Sequence, residues 1–128
     1  MRRNIVLEFL AVAGAGALGS MARLAVGRLF GWASFPVGTL VINVTGSMFL
    51  GWFLTVMEDP AKTGGSNLLR LAVATGFVGA YTTFSTYTFE SNTLMQKGAA
   101  LEAVIYILGS VLLGLIAVRC GIWLGQKA

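Results

Sequence analysis

Residues 76–90 read Gly-Phe-Val-Gly-Ala-Tyr-Thr-Thr-Phe-Ser-Thr-Tyr-Thr-Phe-Glu, and five serines and threonines (Thr82, Thr83, Ser85, Thr86 and Thr88) fall within seven positions. Other neutral hydrogen-bonding groups recur at helical spacing: Thr39 and Asn43 are four apart, as are Tyr106 and Ser110, which puts each pair on one helix face. The Asn43 amide and the hydroxyls can all donate hydrogen bonds, and none carries a charge. Phe84 and Tyr87, three apart, add aromatic edges with partial positive charge. A weakly polar, donor-lined track suits a small, strongly hydrated anion better than a cation, since lining donors replace the water the ion sheds. Plainer roles stay open for the same residues: Asn43 as interhelical glue, and Phe84 and Tyr87 as packing.

Other chemistry is excluded by what the chain lacks. It has no histidine, the commonest general base and metal ligand. Its single cysteine, Cys120, cannot close an internal disulfide or build a thiolate metal cluster. No phosphate-binding glycine loop or catalytic constellation is present, so the chain is not expected to be an enzyme.

The elements that must position these groups follow from composition. Of 128 residues 56% are hydrophobic and 11% charged, against roughly 25% charged in a soluble domain. Mean hydropathy is +0.80, and a soluble fold of this size would leave much apolar surface in water. A membrane-spanning helix needs about 20 mostly apolar residues. Val37 to Met57 supplies 21 without a charge, and Leu71 to Phe89 supplies 19. Ala103 to Val118 continues past Arg119 to Gly125, and Ile5 to Ala22 is interrupted only by Glu8. The fold class is therefore an all-α integral membrane protein: residues 1–128 form one four-helix domain with spans at about 4–30, 36–57, 68–96 and 99–126. Four spans put both termini on one side.

The third span invites a break. Gly76 and Gly79 precede the hydroxyl tract; glycine and threonine are mediocre helix formers, and hydroxyls can bond the backbone in place of the next turn. Exposed carbonyls at such a break favour a cation, and the amino end of the following half-helix favours an anion. A continuous helix whose hydroxyls bond back to their own turn is the other reading.

Orientation is also open. Arg2, Arg3, Lys62, Arg70, Arg119 and Lys127 lie towards the face bearing the termini, against Arg23, Arg28 and Lys97 opposite. Arg70 and Arg119 sit at span edges, so the effective excess is small. Small residues four apart, such as Ala15 and Gly19 or Gly121 and Gly125, allow close helix approach within a chain or between copies.

Gly38-Thr39-Leu40 followed by Asn43 and Gly46, with Gly76-Phe77-Val78-Gly79 running into Thr82-Thr83-Phe84-Ser85-Thr86 and then Glu90, resembles the Fluc/CrcB fluoride-channel family over essentially the whole chain. The resemblance implies a fluoride-selective channel of the cell (inner) membrane that exports the ion passively and protects the cell from fluoride toxicity. It implies an antiparallel, dual-topology homodimer with two pores, and a structural sodium ion at the dimer centre. Through the motif, the sodium ligands map to backbone carbonyls of Gly79 and Thr82, and the fluoride path to Asn43, Phe84, Tyr87, Tyr106 and Ser110, with Thr39 and Thr83 nearby. Arg23 maps to a vestibule and Glu90 to the far end of the track. The partners implied are fluoride, membrane lipid and a second copy, and not nucleic acid. Tyr87 departs from the family's usual Phe, adding a hydroxyl that needs a partner when buried. Tyr81 stands where Leu is expected.

The rival is a small proton-coupled multidrug exporter of four-helix type. It needs a titratable carboxylate deep in the first helix, and Glu8 lies only a few residues from the amino end. That reading also leaves the hydroxyl-rich third span without a purpose.

Overall fold

A computed structural model describes residues 4–64 and 66–128. Arg2 and Arg3 of the charge count lie outside the described residues, as does the side chain of Lys62. All regular structure among the described residues is helical. Helix α1 is Ile5–Leu29, α2 is Val37–Met57, α3 is the single turn Pro60–Thr63, and α7 is Ala100–Lys127. Between α3 and α7 the third span runs through α4 (Asn67–Arg70), a π-wound segment (Leu71–Val78), α5 (Gly79–Tyr81) and α6 (Phe84–Gln96). Three uninterrupted helices, α1, α2 and α7, are long and apolar enough to cross a membrane. The interrupted span is the fourth.

Local chemistry sets the ends. Asn4 caps α1 by accepting from the Leu7 amide, and Asp59 caps α3 ahead of Pro60, each satisfying an orphan donor. The turn from α6 into α7 is closed by Gly98 at φ 77°. The Gly98 amide donates to the Met95 carbonyl and the Ala99 amide to Leu94, the two bonds of a Schellman ending that only a residue at ease in the left-handed region completes.

In lipid, packing depends on close approach rather than on a hydrophobic drive between helices. Helix α2 lies along α7, and α1 lies along the π-wound segment. A Cβ at Gly51 would stand 2.5 Å from the Val118 carbonyl oxygen, and one at Gly121 would run into the Met48 carbonyl. Gly19 faces the Phe77 carbonyl in the same way, and Gly76 faces Val12. Gly19, Gly121 and Gly125 of the small-residue pairs thus serve contacts within the chain. A compact cluster of Tyr87, Leu94, Ala103 and Tyr106 joins α6 to α7. Large apolar side chains such as Phe9, Leu18, Leu112 and Ile116 are exposed on α1 and α7, as a bilayer solvent requires.

The third span is broken, which sets aside the continuous helix. Thr82 (φ −80°, ψ 160°) and Thr83 (φ −151°, ψ 117°) are both extended.

Candidate functional site

The break is held from α2. Asn43 Nδ2 donates to the Thr83 carbonyl at 3.0 Å, and the Thr83 amide donates to Asn43 Oδ1 at 2.8 Å. One side chain therefore binds both faces of a single residue's backbone, the arrangement that best answers the cost of unpaired peptide groups at membrane depth. Asn43 keeps one further N–H. Thr83 Oγ1 caps α6 by accepting from the Thr86 amide at 3.2 Å and donates to Thr86 Oγ1 at 3.1 Å. Gly46 makes room for this: a Cβ there would overlap the Thr82 methyl group.

These bonds divert two amides from their helical acceptors. The Thr83 amide, which four residues on would close onto the Gly79 carbonyl, goes to Asn43. The Thr86 amide, due to the Thr82 carbonyl, goes to the Thr83 hydroxyl. Thr82 donates through both its amide (3.0 Å) and its Oγ1 (2.9 Å) to the Val78 carbonyl. The carbonyls of Gly79 and Thr82 are thus left without their helical donors.

Midway along α6, the Glu90 carboxylate joins three elements. Its Oε1 accepts from Thr39 Oγ1 of α2 at 2.9 Å, and its Oε2 accepts from the Tyr106 hydroxyl of α7 at 2.7 Å. The second has the short length of a charge-assisted bond. The hydroxyl hydrogens of Thr39 and Tyr106 are therefore engaged by Glu90, and an anion at this level competes with the carboxylate for them. Tyr106 is 1% exposed and packs edge-to-face with Phe35 at 5.5 Å.

Aromatic rings link the break to the Glu90 cluster. Phe84 lies 5.8 Å from Tyr87, which lies 5.3 Å from Tyr106. Tyr87 is buried, and its hydroxyl donates to the Ile107 carbonyl of α7 at 2.9 Å, so the additional hydroxyl has its partner in the neighbouring helix. Phe84, at the start of α6, is 77% exposed. Ser110 lies one turn beyond Tyr106, and its Oγ is buried with no hydrogen-bond partner among the described residues.

Two cavities flank the Asn43–Thr83 clamp. The larger, about 570 Å³, is lined by Arg23, Thr39, Thr83, Thr86 and Glu90 among others. The smaller, about 240 Å³, is lined by Asn43, Gly46, Thr82, Thr83 and Phe84 among others. Arg23 thus shares a cavity with Glu90, Thr39 and Thr83, whereas Phe84 and Asn43 face the other. Gly79 lines neither and is exposed. No cluster of three or more histidine, cysteine or carboxylate side chains exists among the described residues.

Residue types missed two contributors. Thr45 bonds the hydroxyl of Tyr81 at 2.9 Å, and Phe35 covers Tyr106. Neither shows a periodic or motif signal, because each acts on a residue at least 36 positions away.

The profile of the family described as "CrcB-like protein, Camphor Resistance (CrcB)" matches residues 10–122. A fluoride-specific ion channel FluC of Hydrogenovibrio crunogenus is 42% identical over 125 residues, covering 95% of this chain and 93% of its own length. One from Acidobacterium capsulatum is 44% identical over 126 residues, covering 94% and 98%. A FluC 2 from Listeria monocytogenes is 39% identical over 121 residues, covering 94% and 92%.

Proposed function

The chain belongs to the CrcB-like family, and from that membership we propose that it is a fluoride channel rather than an enzyme. It is a multi-pass membrane protein, and we place it in the cell (inner) membrane, where passive exit of fluoride protects the cell. The observation that carries the reading is the set of uncharged groups at the break, the remaining Asn43 N–H and the neighbouring rings of Phe84 and Tyr87, joined on α7 by the buried, unpartnered Ser110 hydroxyl. An unpaired buried hydroxyl is costly, and a passing anion gives it an acceptor. Thr39, Thr83 and Tyr106 complete the path, with Glu90 at one end and Arg23 in the vestibule. A series of weak sites lets the ion leave as readily as it enters.

The working unit in this reading is an antiparallel homodimer. Helix α6 supports it: Ser85, Thr88 and Asn92 form an exposed polar stripe beside exposed Phe84 and Phe89. Polar groups at membrane depth are better placed against protein than against lipid. The near-balance of Lys and Arg supports insertion both ways. A structural sodium ion on the Gly79 and Thr82 carbonyls of both copies fits the donor set, because those are the carbonyls whose helical amides are diverted. When bound, such an ion neutralises unpaired carbonyl dipoles where the two breaks meet.

Fluoride efflux from liposomes, with fluoride the only permeant anion, tests the function. Rapid efflux without a proton gradient is expected, and flux that requires a proton gradient would favour the exporter. Assay in a buffer holding only a large organic cation tests the sodium: activity falls and returns when sodium is added. Reporters active only in the cytoplasm or only in the periplasm, fused to the carboxyl terminus, should both give signal if both orientations are used.

A further inference from the structure

The consequence of Tyr81 lies on the side of the break opposite the Asn43 clamp. Tyr81 is the last residue of α5, immediately before the extended Thr82. Its ring stacks on Phe77 one turn back, 6.1 Å away with the planes 11° apart. Its hydroxyl lies 2.9 Å from Thr45 Oγ1 on α2. Thr45 Oγ1 also donates to the Val41 carbonyl of its own helix at 2.7 Å, and a hydroxyl has one hydrogen to give. The bond to Tyr81 is therefore one in which Tyr81 donates and Thr45 accepts. Gly46, beside Thr45, lets the ring lie close: a Cβ there would stand 3.2 Å from Tyr81 Cδ1.

Helix α2 thus grips the interruption on both sides. Asn43 fixes Thr83 downstream, and Thr45 fixes Tyr81 upstream. Only Thr82 lies between the two anchors. Its extended dihedrals hold because neither flank can rotate to restore the helical path. An apolar residue at position 81 could pack against Phe77 but could not bond α2.

We propose that Tyr81, through its hydroxyl bond to Thr45, is a positioning residue that holds the upstream flank of the break and so sets the fluoride throughput. The proposal deepens the channel reading and rests on it. Tyr81→Phe removes the donor and keeps the ring, and Thr45→Val removes the acceptor at matched volume. Each should lower fluoride efflux by about 2- to 10-fold, the range one net hydrogen bond controls. The double variant should be no slower than either single one, because both remove the same bond. Thr45→Ser keeps the acceptor and should restore near-normal efflux, which a general packing role would not predict.

Amide hydrogen exchange on the detergent-solubilised protein is the second measurement, and it needs no fluoride. In Tyr81→Phe the amides of residues 82–86 should exchange faster, while those of residues 117–121 in α7 stay unchanged. Undiminished efflux in both single variants, losses that multiply in the double variant, or unaltered exchange at residues 82–86 each overturns the proposal. If the wild-type protein passes no fluoride in the same vesicles, it is the channel reading that fails, and exchange alone still decides whether the bond holds the break.

Discussion

Helix α2 makes two seams of opposite character. Against α7 it meets small residues, with Gly51 facing the Val118 carbonyl and Gly121 facing the Met48 carbonyl, and backbones approach until no side chain fits between. Against the broken span it meets polar groups, through Thr39 to Glu90, Asn43 to Thr83 and Thr45 to Tyr81. The first seam has unbroken helices on both sides and gains from surface contact alone. The second adds side-chain bonds and, at Asn43, replaces backbone bonds that the broken span has given up. The difference teaches that in a bilayer close packing builds the scaffold, while specific donors and acceptors hold an interrupted segment that packing could not retain.

The contrast is open to direct attack. The largest effect is expected from Gly121→Val, whose Cβ would meet the Met48 carbonyl and lie 2.8 Å from the Trp52 amide. Overpacking costs about 1–3 kcal/mol or more, so size-exclusion chromatography should show loss of monodisperse protein. Asn43→Asp comes next: it keeps an acceptor for the Thr83 amide but turns a carboxylate oxygen towards the Thr83 carbonyl. Facing acceptors with no donor cost about 1–3 kcal/mol. The protein should still assemble, with fluoride efflux reduced at least about tenfold from that penalty and the charge placed in an anion path. If Asn43→Asp collapses the protein as Gly121→Val does, the two seams are not different in kind.

Smaller effects sharpen the picture within the polar seam. Phe84 is exposed, so Phe84→Ile should leave the monodisperse fraction unchanged and lower fluoride efflux by removing an aromatic edge. Equal efflux would reduce the ring to packing. The smallest effect belongs to Tyr87→Phe, which removes the bond to the Ile107 carbonyl while the ring stays. A loss of about 0.5–1 kcal/mol in stability is expected, read as a slightly lower melting temperature, with efflux within about twofold of wild type.

Much of this was legible in the residue order. The apolar runs outline helices, and the glycine and hydroxyl tract marks where the third span is interrupted. Sequence left the continuous helix open because Thr and Ser support either outcome, and the decision lies with Asn43, 40 residues from Thr83. The π-winding of Leu71–Val78 was not legible either, because no residue type or spacing in that run marks it. Glu90 was readable as a carboxylate near the track, but its simultaneous bonds to Thr39 and Tyr106 require three elements to converge. Tyr81 was readable as a departure, and its partner on α2 was not.

Helices α2 and α7 differ in length, 21 residues against 28, which at 1.5 Å per residue is about 31 Å against 42 Å. They are in register at one end, where Gly125 of α7 lies against Trp52 and Thr55 of α2, so the surplus emerges at the other, beside the α6–α7 turn. Helix α2 alone matches a hydrocarbon core of roughly 30 Å. Thr39 lies in the first turn of α2, so the carboxylate it binds sits at the edge of that core. A charge at that depth is cheap to hydrate and crosses little of the transmembrane voltage drop. In the proposed channel, Glu90 is therefore an electrostatic feature of the mouth, and the voltage falls mainly across the uncharged stretch around Asn43 and Thr83.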